Sequence, residues 1–393
     1  MSIDFADPAF LEDHIRHTLA FYEPAVLDPA GGFFQNFRDD GSVFDPHSRH
    51  LVSSARFVFN YAMAARRFGR EDYLEWAGLG LDYLEARHRQ PSGGYAWTLD
   101  QNGVTDATNH CYGLAFVMVA GATALLAGLP RGRAILDDAW RLMETCFWEA
   151  DHGLYADEAS ADFSRISPYR GQNANMHACE AMLWAFEATG EARFLERAQR
   201  LADNIARRQA DLAGGLIWEH YHSDWSIDWD YNRDNPRHLF RPWGFQPGHQ
   251  AEWAKLLLIL HRHAPQPWHL PTACTLFDRA LDTAWDEQHG GICYGFDREG
   301  GICDGDKYFW VQAESFAAAK LLELATGDDR YGEWYRRIWQ YGWDHMVDHR
   351  HGAWFRILTR DNRKYDDRKS PLGKTDYHTM GACYEVLRAL KIP

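Results

Sequence analysis

The strongest constraint on the fold of this chain is a short glycine–aromatic element that recurs along its whole length. "GGFFQNFRDDG" begins at Gly31, "GGYAWTLDQNG" at Gly93, and "HGLYADEAS" surrounds Gly153. "GGLIWEHYHSD" follows at Gly214, "GGICYGFDREGG" at Gly290, and "HGAWFRILTRDN" surrounds Gly352. The starts lie about sixty residues apart, with one longer gap after Gly214, a period that marks an architecture of repeated supersecondary units. Each element reads as glycine at a turn, a few β-prone residues and a polar turn, which is the signature of a short hairpin.

Between the hairpins lie helical patterns, mostly two per interval. Apolar residues at helical spacing predict helices over 52–68 and 73–89, 112–126 and 134–148, and 176–189 and 194–209. Further pairs cover 249–263 with 273–285 and 311–326 with 331–346, while helices near 10–26 and 378–390 complete a pair across the two chain ends. Six such pairs suit a closed toroid. An open solenoid needs polar caps on its end repeats, and here the first and last helices are apolar enough to pack on each other. The expected architecture is therefore an all-α (α/α)6 barrel with short β-hairpins and long loops at one end. It forms a single domain over 1–393, since no Pro/Ser/Gly-rich linker interrupts it. The longer gap, residues 218–242, is an aromatic and charged insertion, a kind of long loop that often forms a lid or binding wall.

Composition narrows the function. The net charge is -15 and no basic cluster is present, which disfavours nucleic acid and anionic membrane surfaces as partners. The seven cysteines form no C-x-x-C pair and the N-terminal stretch has no apolar core of a signal peptide, so a reducing, cytoplasmic location is expected. Residues 107–130 carry no formal charge and reach membrane-span length. They stand alone in a hydrophilic chain, and a helix apolar all round is also what the centre of a large helical protein requires, so this segment is expected to be buried. Aromatic residues make up 15% of the chain and include 17 Trp, more than a core needs and suited to stacking on sugar rings.

Histidines recur at the starts of the inner helices: His110 in "TNHCYG", His177 in "NANMHACEAM", His249 in "PGHQAEW" and His378 in "TDYHTMGACYE". If the helix pairs alternate in direction, these starts share one end of the toroid and the four imidazoles converge. Glu180 follows His177 at three residues, as Glu252 follows His249. Arg56 and Glu314 occupy comparable places in the second and tenth helices, and Trp243 stands in the aromatic stretch just before His249. One histidine near a helix start is most often a satisfied core group. Recurrence at one register of a repeat is something core packing has no reason to demand.

Two chemistries suit this set. His-x-x-Glu units could ligate a metal, although four-helix di-iron sites use the reverse order and H-E-x-x-H is absent. Alternatively, paired imidazoles act as general base and acid near neutrality, with neighbouring carboxylates setting their tautomers and Trp rings stacking on a sugar. Two carboxyl groups such as Glu180, Glu252 and Glu314 offer also leave a glycoside hydrolase open.

The segments "NANMHACEA", "GFQPGHQAEWAKLLL", "YFWVQAES" and "TDYHTMGACYE" together resemble the N-acylglucosamine 2-epimerase superfamily over nearly the whole chain, nearest its mannose isomerase (aldose–ketose isomerase) branch. The resemblance implies an (α/α)6 barrel and a monosaccharide substrate, with no metal or redox cofactor. It implies His249 and His378 as the acid–base pair, and Arg56, His177, Glu252, Trp310 and Glu314 as sugar-contacting residues. Lys255 is expected to pair only with Glu252. Epimerisation at C2 is the alternative outcome of the same site, and a monomer or homodimer is expected.

Overall fold

A computed structural model describes residues 3–238 and 240–391. Met1, Ser2, Ile392 and Pro393 at the ends of the expected domain, and Leu239 within the expected insertion, lie outside the described residues. Leaving aside a three-residue turn at Ala210–Leu212, the described residues form twelve α-helices in six pairs. The inner members are α2 (Leu51–Phe68), α4 (Cys111–Leu126), α6 (Gln172–Thr189), α8 (Pro247–His263), α10 (Phe309–Thr326) and α12 (Tyr377–Ala389). The outer members are α1 (Pro8–Tyr22), α3 (Glu71–Tyr83), α5 (Gly132–Leu142), α7 (Ala192–Asp203), α9 (His269–Ala284) and α11 (Asp329–Tyr341). Each inner helix packs on the next, α12 closes onto α2, and α1 lies against α12, so the ring is complete. This is the (α/α)6 toroid expected from the period.

Burial explains the two helix types. In α2 every residue from Leu51 to Ala65 is buried, and α4 is buried from Gly113 to Ala124, as a helix inside a ring must be. No helix of the described residues is long and apolar enough to cross a membrane. The outer helices bury one stripe each; α7 covers Phe194, Ala198, Leu201 and Ala202. In α8, Trp253, Leu256, Leu257 and Leu260 are at most 1% exposed, and truncating any of these Leu residues costs about 2–5 kcal/mol by cavity formation.

Four outer helices finish differently from expectation. The patterns running to 89, 148, 209 and 346 end in π-helical turns, Leu84–His88, Met143–Phe147, Asn204–Gln209 and Gly342–Met346. In three of them the next N–H reaches back five residues, as Arg89 does to the Leu84 carbonyl at 2.9 Å.

The glycine–aromatic elements then fold as expected into short antiparallel pairs, for example Trp148–Glu149 with Leu154–Tyr155. Gly291 (φ +75°) must be glycine on two counts, since a Cβ there would also lie 2.4 Å from the Tyr341 ring. Side-chain amides fasten three of these elements to the following inner helix. Asn175, Gln250 and Gln312 are each the fourth residue of their helix. Each accepts the N–H and donates to the C=O of one residue there: Tyr155 (2.8 and 3.0 Å), Ile217 (3.0 and 2.8 Å) and Ile292 (3.0 and 2.9 Å). Buried backbone there would otherwise lack partners. The clamp sets where each inner helix begins, and with it the direction of the side chains in its first turn.

Candidate active site

All six inner-helix starts open on one cavity of about 410 Å³, within the usual range for a small-molecule site. His110, His177, His249 and His378 all line it, as the shared register required, together with Arg56, Glu252 and Trp310. Gly248 makes the approach of Trp310 possible, because a Cβ there would meet the indole at 2.5 Å. The Trp310 ring consequently lies close to both central imidazoles, 4.9 Å from His249 and 5.8 Å from His378 by centroid.

Each of these imidazoles is tied to a buried carboxylate through Nδ1. His378 Nδ1–H is donated to Glu314 Oε1 at 2.7 Å, and the other oxygen of Glu314 receives the Lys255 ammonium. His249 Nδ1 lies 2.9 Å from Glu219 Oε2 and 2.9 Å from Gln172 Nε2, and that amide also donates to Glu219 Oε2 at 2.9 Å. Trp253 Nε1–H fixes the orientation of that amide by donating to Gln172 Oε1 at 2.8 Å. Nδ1 is engaged in both rings, which leaves Nε2 as the nitrogen turned to the cavity; in His378 the Glu314 carboxylate fixes Nδ1 as the protonated one. Glu219 was not anticipated. It lies beside the short strand His220–Tyr221 in the insertion, 3% exposed, where no helical register advertises it.

The surroundings of the two rings differ in charge. Burial, then Arg56 and His177, push His378 well below the ordinary histidine range, so it rests neutral. Arg56 Nη2 points a donor at its Nε2 from 3.2 Å, which requires a lone pair there. Arg56 also donates to the Tyr112 hydroxyl at 3.1 Å and stacks over Phe116, with its guanidinium carbon 4.3 Å from the ring centroid. Burial opposes the charge on Lys255, but Glu314 and Glu180 beside it outweigh burial and keep it an ammonium. Glu219 has no Lys or Arg ion pair among the described residues.

The carboxylates depart from the simplest reading of their spacing. Glu180 bonds its own helix neighbour, His177 Nδ1, at 2.9 Å and is held down to about 2, burial being outweighed by His177 and Lys255. Glu252 does not bond His249. It is fully buried with neither oxygen hydrogen-bonded, and burial together with Glu314 pushes it well above the usual carboxylate range, so it carries a proton. Lys255 pairs with Glu314 and, at 3.9 Å, with Glu180, correcting the expected pairing with Glu252 alone. Glu180 and Glu314 are absent from the cavity lining and stand one layer behind His177 and His378.

Two outer candidates diverge. His110 lines the cavity, tilted against Trp97 at 3.9 Å by centroid with Nδ1 3.4 Å from Glu158, and burial lowers it to about 4. Trp243 is not among the lining residues; its indole donates to the Trp229 carbonyl at 2.7 Å and its ring packs edge-on against Trp218. The insertion contributes Tyr231, Asn232 and Arg241 to the wall instead. Two triads, His177–Glu180–Glu252 and Glu252–Glu314–His378, bring donor atoms within 4.8 Å of one another and could hold a cation. The Lys255 ammonium already pairs with Glu314 and Glu180 of these groups, so a further cation would meet like charge.

A conserved-domain description fits this geometry: residues 32–382 match the model of the N-acylglucosamine 2-epimerase (GlcNAc 2-epimerase) family. The chain belongs to this family. It is 56% identical over 389 residues to the D-mannose isomerase of Marinomonas mediterranea, covering 99% of each chain. The D-mannose isomerase of Thermobifida fusca is 37% identical, with 90% of this chain and 87% of that one aligned. A crystal structure of D-mannose isomerase superposes with a TM-score of 0.98 at 56% identity, covering 99% of this chain and 100% of that one. The cellobiose 2-epimerase of Spirochaeta thermophila, at 22% identity and a TM-score of 0.84, shares the fold over 98% of this chain and 96% of its own. As a family member the chain is an enzyme of the isomerase or epimerase class.

Proposed function

We propose that this chain is a cofactor-independent aldose–ketose isomerase that interconverts D-mannose and its 2-ketose, D-fructose, through an enediol. The observation that carries the reading is the pair of buried imidazoles on one cavity, each held by a carboxylate at Nδ1, with Nε2 of His378 facing Arg56. Full-length similarity to D-mannose isomerases supports the choice of sugar and outcome.

In this reading His378, neutral at rest, removes the C2 proton of the opened sugar and returns it to C1. The electron pair of the C2–H bond becomes the enediol double bond, and protonation at C1 leaves the carbonyl at C2. Arg56 holds the oxygen on which negative charge develops. His249 moves a proton between the two oxygens, with the Glu219 carboxylate beside it to stabilise the transient imidazolium. Glu252, protonated, donates a hydrogen bond to a sugar oxygen, while Trp310 offers a ring face close to both imidazoles. The single catalytic domain over 1–393 and a cytoplasmic setting belong to the same proposal; the seven thiols, none of them paired, support the latter.

A substrate screen tests the reading. Incubated with mannose, lyxose, fructose, N-acetylmannosamine and cellobiose, the enzyme is expected to convert mannose and fructose into each other. Conversion of cellobiose or N-acetylmannosamine in preference to mannose would refute the assignment.

A further inference from the structure

The turn leading into α12 is strained at a telling place. Thr375 (φ 53°) and Asp376 (φ 52°) are the one consecutive pair of non-glycine residues in the left-handed region among the described residues. They stand immediately before Tyr377 and His378. For a β-branched threonine this conformation is a genuine outlier, and such strain persists only where the surroundings over-determine it, most often at functional sites.

The surroundings here do so from several sides. The Asp376 carboxylate accepts the Tyr22 hydroxyl of α1 at 2.6 Å on Oδ2, which also receives the Lys374 ammonium. Its Oδ1 accepts from the Thr379 hydroxyl at 3.2 Å and the Trp354 N–H at 3.4 Å. From α2, Asn60 donates to the Thr375 carbonyl at 2.8 Å, and the Ser53 hydroxyl accepts the Gly373 N–H at 2.7 Å. Thr375 and Asp376 are both 0% exposed. A helix could begin at Tyr377 with a relaxed serine or asparagine cap, so capping alone does not account for a buried, four-partner carboxylate in this conformation.

We propose that Asp376 is a positioning residue: its carboxylate pins the left-handed turn and so aims the His378 imidazole at Glu314 on one side and the cavity on the other. The inference rests on the reading of His378 as the base.

The test measures kcat and KM per folded site for Asp376→Asn, Tyr22→Phe and His378→Asn, and for Asp376→Asn combined with Thr375→Gly. Displacing a catalytic group by about 1 Å costs on the order of a hundredfold. Asp376→Asn is therefore expected to lower kcat by about 10- to 100-fold with KM within about threefold, and Tyr22→Phe to do so more mildly. Glycine at 375 takes the left-handed conformation without penalty, so the double variant is expected to regain about tenfold. A wild-type kcat for Asp376→Asn beside an inactive His378→Asn would overturn the proposal, as would failure of glycine to restore kcat. An active His378→Asn would overturn the acid–base reading itself and the proposal with it. If Asp376→Asn does not fold, Tyr22→Phe with and without Thr375→Gly decides the matter in the same way.

Discussion

His378→Asn is expected to lower kcat with mannose by about 10²–10⁴-fold while KM changes little, the range that a positioned general base contributes. Asparagine is chosen because its amide can still donate to Glu314, so the change removes Nε2 and spares the hydrogen bond behind it. The loss should fall on kcat, because proton removal from C2 is a transition-state event and binding is carried by the rest of the wall. His249→Asn is expected to fall in the same range. Initial rates of ketose formation measure both. Turnover of either variant within about tenfold of wild type would mean that its imidazole does not carry the proton.

Lys255→Met is expected to act on stability and on pH dependence together. Among the described residues Lys255 is the one Lys or Arg paired with Glu314, it lies 3.9 Å from Glu180, and all three side chains are buried. Breaking a buried pair by removing one partner typically costs about 3–5 kcal/mol, because a bare charge is left in a medium of low polarity. The melting temperature should fall accordingly. Removing the other charge in Lys255→Met/Glu314→Gln should recover part of the loss, since the bare carboxylate is then gone.

The pH effect follows from sign. His378 sits well below its ordinary range, first through burial and then through Arg56 and His177, with Lys255 adding to the same direction. Wild-type kcat, which needs the neutral base, should hold as pH falls below 6.5 before its acidic limb begins. Without the ammonium, Glu314 bears an unshared charge against Nδ1 and favours imidazolium. The acidic limb of Lys255→Met should therefore move to higher pH; a limb that stays in place would show that Lys255 does not tune the base.

Legibility in the sequence tracked how local the determining physics is. Glycines at turns and apolar spacing are local, so the six pairs and the helix ends near 68, 126, 189, 263 and 326 could be placed from residues alone. The π-helical endings of four outer helices hinge on where a last turn widens by one residue, and no composition signal separates that from a continuing α-helix. In the site, repetition at helix starts pointed to all four histidines. The i,i+3 spacing identified the His177–Glu180 bond correctly. The same spacing misled for His249 and Glu252, because the partner of His249 comes from beside a short strand in the insertion, thirty residues earlier. Trp243 was singled out by nearness in sequence to His249, yet the extended chain before α8 turns its ring onto Trp218. The lysine in the middle of "HQAEWAKLLL" gave no hint that it would neutralise a residue from α10, since that contact exists only once the ring has closed.

The central claim is that one proton leaves C2 and one arrives at C1. A proton NMR time course of D-mannose with the enzyme in D2O tests it most directly. The expected result is fructose as the accumulating product, with deuterium entering at C1 to the extent that the His378 proton exchanges with solvent. Glucose bearing deuterium at C2 and appearing ahead of fructose would contradict it, because the proton would then have returned to C2 from the opposite face.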